Sequence, residues 1–228
     1  MIIPPEGAIL NVFKPQGVTS FDVVRQVRRK LGVKKVGHGG TLDPVAEGVL
    51  IILVGKATKR SNELMALEKE YRAGILLGIT SDTDDITGNL LNEKPVPDFD
   101  KSDIENALDD FRGEIEQVPP MYSALKVKGQ RLYKLARKGI EIEREPRKVS
   151  VYDIGIEDWR NPHLVLTVRC SRGTYIRSLA RDLGDKLGCG GTMESLVRTR
   201  IGDYRVEETL KLQDLEITAG NRMEKSLD

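Results

Sequence analysis

The residues best placed to do chemistry in this 228-residue chain are gathered in Gly37-His38-Gly39-Gly40-Thr41-Leu42-Asp43-Pro44-Val45-Ala46-Glu47-Gly48. Four glycines in twelve residues allow positive φ and a close approach of backbone to a ligand. Pro44 pushes Asp43 out of the helical region, so the carboxylate stands on a stiff, extended turn. Such a group can attack an electron-poor carbon or stabilise charge on it. Taken alone, the loop reads more simply as a turn whose aspartate bonds neighbouring amides.

Other candidate sites fail on spacing. Gly55-Lys56 ends like a phosphate-binding loop, but Leu50 stands where its first glycine belongs and Ala57 where Ser or Thr belongs. Gly37-His38-Gly39 starts a dinucleotide fingerprint that Leu42 breaks. Asp82-Thr83-Asp84-Asp85 resembles the start of a calcium loop, yet Ile86 and Thr87 supply neither the fifth ligand nor the glycine of the turn. Two histidines, His38 and His163, and two cysteines, Cys170 and Cys189, make a poor zinc set and no disulfide framework. The two cysteines read as reduced thiols of a cytosolic protein.

The elements that must position Asp43 follow from periodicity. Ile9–Phe13 reads as a strand, then Ser20 caps a helix whose stripe is Phe21, Val24, Val27 and Leu31. Val49–Val54 is a buried strand after the loop, Lys56–Leu67 a helix and Tyr71–Ile79 a strand. Asp82–Gly88 is a turn and Lys94–Asp100 a proline-containing connection. Ser102 caps a short helix to Phe111, and strands follow near Glu114–Val118 and Ser123–Lys128. Arg131–Arg137 is helical. Val149–Glu157 and Leu164–Cys170 form a hairpin about Asn161-Pro162. In Thr174–Leu187, Ile176, Leu179, Ala180, Leu183 and Leu187 recur at helical spacing. The pattern is α+β, in a single domain over 1–228.

Composition is that of an ordinary globular protein, with 39% apolar residues, 36 Lys+Arg and 35 Asp+Glu. No apolar run reaches the ~18 residues of a membrane span, and the N-terminus lacks a signal-peptide pattern. The net charge of +1 hides a strong segregation: residues 1–60 carry +6, 61–120 carry −10, 121–200 carry +8 and 201–228 carry −3. Two basic blocks brought together would make a positive groove despite the neutral total, though charge runs are more often solvated faces.

Five blocks in order resemble the TruB-type tRNA pseudouridine synthases. These are Lys14-Pro15-Gln16-Gly17-Val18-Thr19-Ser20, the glycine loop Gly37–Leu50, and Tyr71-Arg72 with the Asp82, Thr83, Asp85 turn. Pro119–Lys126 follows, with Gly129, Arg131 and Tyr133, and last Ser171–Leu179 with Leu196 and Arg198. The resemblance implies the pseudouridine synthase fold, a mixed, mainly antiparallel sheet flanked by helices and loops. It implies conversion of uridine to pseudouridine in the tRNA T-loop, conventionally at position 55, without metal or organic cofactor. The partner is the T-stem-loop of tRNA, with no membrane and no obligate protein partner, and the chain acts as a cytoplasmic monomer.

By the same resemblance Asp43 is the nucleophile, Arg177 the arginine that pairs with it, and Tyr71 the aromatic that stacks on the flipped base. Leu196 lies on the base's other side, and His38 enters the space vacated in the RNA stack. Read from the residues alone, Tyr71 is equally a core aromatic and Arg177 an exposed charge in a first helical turn. Gly39 stands where the family often has Thr, which should loosen the loop. RNA contacts are expected from Lys14, Arg25, Arg28, Lys34 and Lys35, and from Tyr122 with the Lys126–Lys138 segment that holds Arg131. The match ends near Leu215, which leaves no room for the C-terminal PUA domain of bacterial members and argues against the RNA-guided, dyskerin-type relatives. The competing reading is a non-catalytic tRNA-binding or tRNA-folding module using the same groove.

Overall fold

The computed structural model describes residues 6–123, 125–127 and 129–215. In chain order the elements are β1 (Ala8–Lys14), α1 (Ser20–Leu31), β2 (Val36–His38), β3 (Glu47–Val54), α2 (Ser61–Ala66), β4 (Lys69–Leu77), β5 (Ile79–Ser81) and β6 (Leu90–Glu93). Then come α3 (Lys101–Leu108), β7 (Gly113–Gln117), β8 (Lys126–Val127), β9 (Gln130–Arg131), α4 (Leu132–Ala136), β10 (Arg147–Arg160), β11 (His163–Cys170), α5 (Ile176–Lys186), β12 (Gly191–Ile201) and β13 (Tyr204–Arg205). The chain divides into two compact units, Met1–Leu67 with Arg200–Asp228, and Glu68–Thr199.

In the first unit β3 is the central strand. It pairs antiparallel with β1 from Ala8↔Val54 to Lys14↔Gly48, and with β2 from Val36↔Val54 to His38↔Ile52. Both faces of β3 are buried, which is why its sequence is continuously apolar instead of alternating. Leu50, Ile52 and Val54 pack with Leu10, Val12 and the inner face of α1. Val49, Ile51 and Leu53 pack with Leu64 and Ile201. The expected helix over Lys56–Leu67 is a 3₁₀ stretch, Gly55–Arg60, followed by α2.

Helix α1 corrects the expected phase. Thr19, not Ser20, is the N-cap: its hydroxyl accepts from Asp22 N, and its own N–H donates to Asp22 Oδ2. Gly32 closes the helix at φ 61°. The inward row is Ser20, Val24, Val27 and Leu31, at i, i+4, i+7 and i+11, with Val23 beside it. Phe21 lies 100° away and is 56% exposed, under the Arg25 guanidinium. A polar side chain thus occupies the first inward position.

The second unit is an antiparallel run β4-β11-β10-β7, with β12 beside β4. The hairpin β10–β11 turns at Asn161-Pro162, as expected, and pairs from Arg160↔His163 back to Val151↔Cys170. Trp159 Nε1 donates to Phe99 O and Asn161 Nδ2 to Pro97 O, which ties the proline-containing connection to that turn. Gly78, at φ 85°, ends β4 before Ile79, so the expected strand to Ile79 is two strands. Asp100, not Ser102, caps α3, through a capping box with Asp103. Among the described residues of the strand expected over Ser123–Lys128, Lys126–Val127 is the paired part, against Gln130–Arg131. Among the described residues no helix is long and apolar enough to cross a membrane.

Candidate active-site residues

Asp43 is half-buried, and its backbone is held at three successive residues. Before it, Leu42 N donates to Ser20 Oγ at 2.8 Å, and Ser20 Oγ donates to Leu42 O at 2.9 Å. The Asp43 carbonyl accepts from Ala46 N at 3.1 Å. After it, Pro44 O accepts from Gly17 N at 2.8 Å, with Gly17 in the left-handed region at φ 86°. The sequence blocks 14–20 and 37–48 are therefore joined by these bonds.

Lys14 corrects an expectation. It is 0% exposed, and its ammonium donates to Pro15 O at 2.9 Å and Val18 O at 2.8 Å. It fixes the turn that carries Gly17 and does not present its charge to solvent, where a phosphate would lie. Gly39 corrects another. It is buried, its N–H donates to Ile51 O at 2.8 Å, and a Cβ there would stand 3.1 Å from Leu64 Cβ. Glycine at this position packs the loop tightly. His38 is half-buried at the end of β2, its Nδ1 accepting from Gly40 N at 3.3 Å, which leaves Nε2 to carry the proton of the neutral ring.

In the second unit Tyr71 is a buried residue of β4, opposite Val168 of β11. Lys69 shares its face two residues earlier and is buried as well. Burial and the neighbouring Arg198 bring the Lys69 ammonium down to about 8. Opposite Lys69, burial pushes the Cys170 thiol up to about 11. Leu196 is a buried residue of β12.

Arg177, in the first turn of α5, is 4% exposed and not the surface charge its position suggests. Its Nη1 donates to Thr83 O at 3.0 Å and lies 3.6 Å from Asp85 Oδ2, and its Nη2 donates to Tyr122 O at 2.8 Å. The guanidinium thus joins the 82–88 turn to the 119–122 segment. One helical turn on, Arg181 repeats the pattern. It bonds Asp84 Oδ2 at 2.9 Å, Asp182 Oδ1 at 2.9 Å and Val118 O at 3.1 Å. Burial raises both of these carboxyls. Gln117, also buried, holds the residue before the helix: its Oε1 accepts from Tyr175 N at 2.8 Å and its Nε2 donates to Tyr175 O at 3.0 Å. Sequence reasoning did not single out Ser20 as a loop contact, nor Gln117 or Arg181; their partners are backbone atoms and a turn distant in the chain.

Asp43, His38 and Lys14 thus lie in the first unit, and Tyr71, Tyr122, Arg177 and Leu196 in the second. The side chains of Lys126 and Arg131 lie outside the described residues. Among the described residues no group of three or more His, Cys, Asp or Glu could hold a metal ion.

Comparison with known proteins adds the following. A family model described as TruB family pseudouridylate synthase (N terminal domain) matches residues 28–176, and one described as tRNA pseudouridylate synthase B C-terminal domain matches residues 177–228. The chain is 49% identical over 209 residues to the tRNA pseudouridine synthase B of Clostridium tetani, covering 92% of this chain and 72% of that protein. It is 52% identical over 208 residues to that of Clostridium kluyveri, covering 91% and 72%. Among solved structures, a chain of a Cbf5-Nop10-Gar1 complex matches with TM-score 0.71 at 32% identity, over 93% of this chain and 57% of that one. A chain of an H/ACA RNP bound to a substrate RNA containing 2′-deoxyuridine matches with TM-score 0.67 at 29% identity, over 93% and 56%. The chain therefore spans a little over half the length of these solved chains.

Proposed function

Because the chain belongs to the TruB family of pseudouridylate synthases, we propose that it isomerises uridine to pseudouridine in the T-loop of tRNA, at position 55. The observation that carries this reading is identity of about half to named tRNA pseudouridine synthases B over nine-tenths of the chain. The family's blocks with Asp43, Tyr71 and Arg177 are present in this sequence.

The target uridine is stacked in a folded RNA and must be flipped out before any group reaches it. His38 fills the gap it leaves, while Tyr71 and Leu196 take the two faces of the base. Asp43 acts ionised at the sugar, either adding to C1′ or taking a proton from C2′ to give a glycal. In the first route the C1′–N1 bond breaks as the Asp43 ester forms, and the ester's C1′–O bond breaks as C5 bonds to C1′. In the second the C1′–N1 bond breaks as C2′ loses its proton, and Asp43 returns that proton to C2′ as C5 bonds to C1′. In both the uracil turns between the two steps, and the C5 proton is lost as N1 gains one. Arg177 is the cation that the family resemblance pairs with this aspartate; a guanidinium favours the charged carboxylate and restrains its direction. The protein works as a monomer in the cytoplasm, with Tyr122, Lys126 and Arg131 among the RNA contacts.

Tritium release from 5-tritiated uridine in a T-stem-loop RNA counts turnovers, since the C5 hydrogen leaves once per product. Wild-type protein is expected to release it. Asp43→Asn, isosteric but without the charge, is expected to lose release by at least ~10³-fold while binding the RNA within about threefold. Binding without release by the wild type would favour the tRNA-binding module instead.

A further inference from the structure

We propose that Ser20 is a positioning residue for the reaction, its hydroxyl acting as a splint that sets the direction of the Asp43 carboxylate. The inference rests on the reading of Asp43 as the reacting group. Ser20 occupies the first inward position of α1, a row otherwise made of Val24, Val27 and Leu31. A hydroxyl there is costly unless it is bonded, and it is 2% exposed. Its partners are not in the helix or its cap, which Thr19 and Asp22 complete without it. Both bonds go to one residue 22 positions away: Oγ accepts from Leu42 N and donates to Leu42 O.

The second bond matters most. Leu42 C=O and Asp43 N–H belong to one peptide plane, so fixing that oxygen fixes the plane from which Asp43 Cα is built. Ala46 N holds the next plane through Asp43 O, Gly17 N holds the one after it through Pro44 O, and the proline ring restricts Asp43 to extended geometry. With both flanking planes held, the carboxylate's remaining freedom is its own two side-chain torsions. A pre-aimed acid of this kind acts through geometry, and a misplacement of about 1 Å can cost ~10²-fold in rate.

Three variants test this, with two readouts. Ser20→Ala is expected to lower kcat on the T-stem-loop by ~10- to 100-fold with KM and RNA Kd changed less than about threefold. Ser20→Thr keeps the hydroxyl and adds a methyl group in the core. It should retain at least ~10-fold more activity than Ser20→Ala, even if it is the less stable protein. Val27→Ala, one turn or more along the same inward row, supplies a stability control and should leave kcat within about twofold. Hydrogen exchange reads the splint without any catalysis: in Ser20→Ala the Leu42 amide should exchange at least ~10-fold faster, while β1 and β3 keep their protection. Equal kcat losses in Ser20→Ala and Val27→Ala, or unchanged Leu42 exchange in Ser20→Ala, would overturn the proposal. Absence of turnover by the wild type would instead remove the proposed function and leave the exchange result to decide whether the splint exists.

Discussion

A lysine buried two residues from a buried tyrosine, on the same face of one strand, sets up a charge that solvent does not screen. Lys69 is held at about 8 against an ordinary 10.5, by burial first and then by Arg198. Between those values the folded protein binds fewer protons than the unfolded chain, so stability rises with pH across that window. Cys170, opposite it in register, works the other way. Held at about 11 against 9.0, its thiol keeps its proton in the fold while the unfolded chain loses it, so stability falls as pH rises through that range. The two windows overlap and have to be separated by substitution. The urea-derived stability difference, wild type minus Lys69→Met, should move in favour of the wild type between pH 7.5 and 10, by at most about 3 kcal/mol. The corresponding difference for Cys170→Ala should move against the wild type from pH 9 upward. A Lys69→Met difference flat in pH would mean that the ammonium is solvated.

Helix α5 shows what an element needs beyond its own sequence. Of its apolar stripe, Ile176, Leu179, Ala180 and Leu183 are buried as the spacing predicts, while Leu187, at the C-cap, is half-buried. Its N-cap, Tyr175, has no side-chain cap bond. Gln117 holds that residue instead from the end of β7, bonding both its backbone N–H and its C=O. Ser178, Arg181 and Arg177 then tie the helix start to Val118 and Tyr122. Gln117→Ala removes two bonds; Tyr175 O keeps the bond it accepts from Leu179 N, but Tyr175 N–H loses its Gln117 acceptor, so a loss of about 1–3 kcal/mol is expected in chemical denaturation. Since Arg177 is two residues from the clasped tyrosine, kcat should fall as well, whereas Lys148→Gln on the exposed side of β10 should change neither. A stability loss below about 0.5 kcal/mol would show that water replaces the amide at no cost.

How much of this was legible follows from what each residue bonds to. The strand β3, the hairpin about Asn161-Pro162 and the α5 stripe depend on apolar periodicity, which is local, and were read correctly. The phase of α1 was not. Phe21 attracts an apolar assignment, but Ser20 completes the 3.6-residue row because its hydroxyl has a backbone partner 22 residues on. Asp43, Tyr71 and Arg177 are proposed through the ordered blocks they sit in, a resemblance and not a property of the single residues. For Lys14 the composition records a positive charge and not the two carbonyls, one and four residues ahead, to which the ammonium donates.

At the scale of the whole molecule, the proposed RNA contact rests on which cations face solvent. The first 60 residues carry +6, but Lys14 contributes its charge to a buried turn. Arg25, Lys34 and Lys35 are exposed, Arg25 with a carboxylate partner in Asp22. Each cation that neutralises a phosphate releases counterions and adds about 0.7 to 0.9 to the slope of log K against log salt. Lys35→Gln should therefore weaken T-stem-loop binding and flatten that slope by about one unit, with no loss of thermal stability. Lys14→Met should do the reverse. It leaves Pro15 O and Val18 O without their donor, costs about 2–3 kcal/mol of stability, and leaves the slope unchanged. Titrations of the three proteins between 50 mM and 300 mM salt decide the matter. A flattened slope for Lys14→Met would return that lysine to the RNA interface, and unchanged slopes for both variants would move the phosphate contacts to the second basic block.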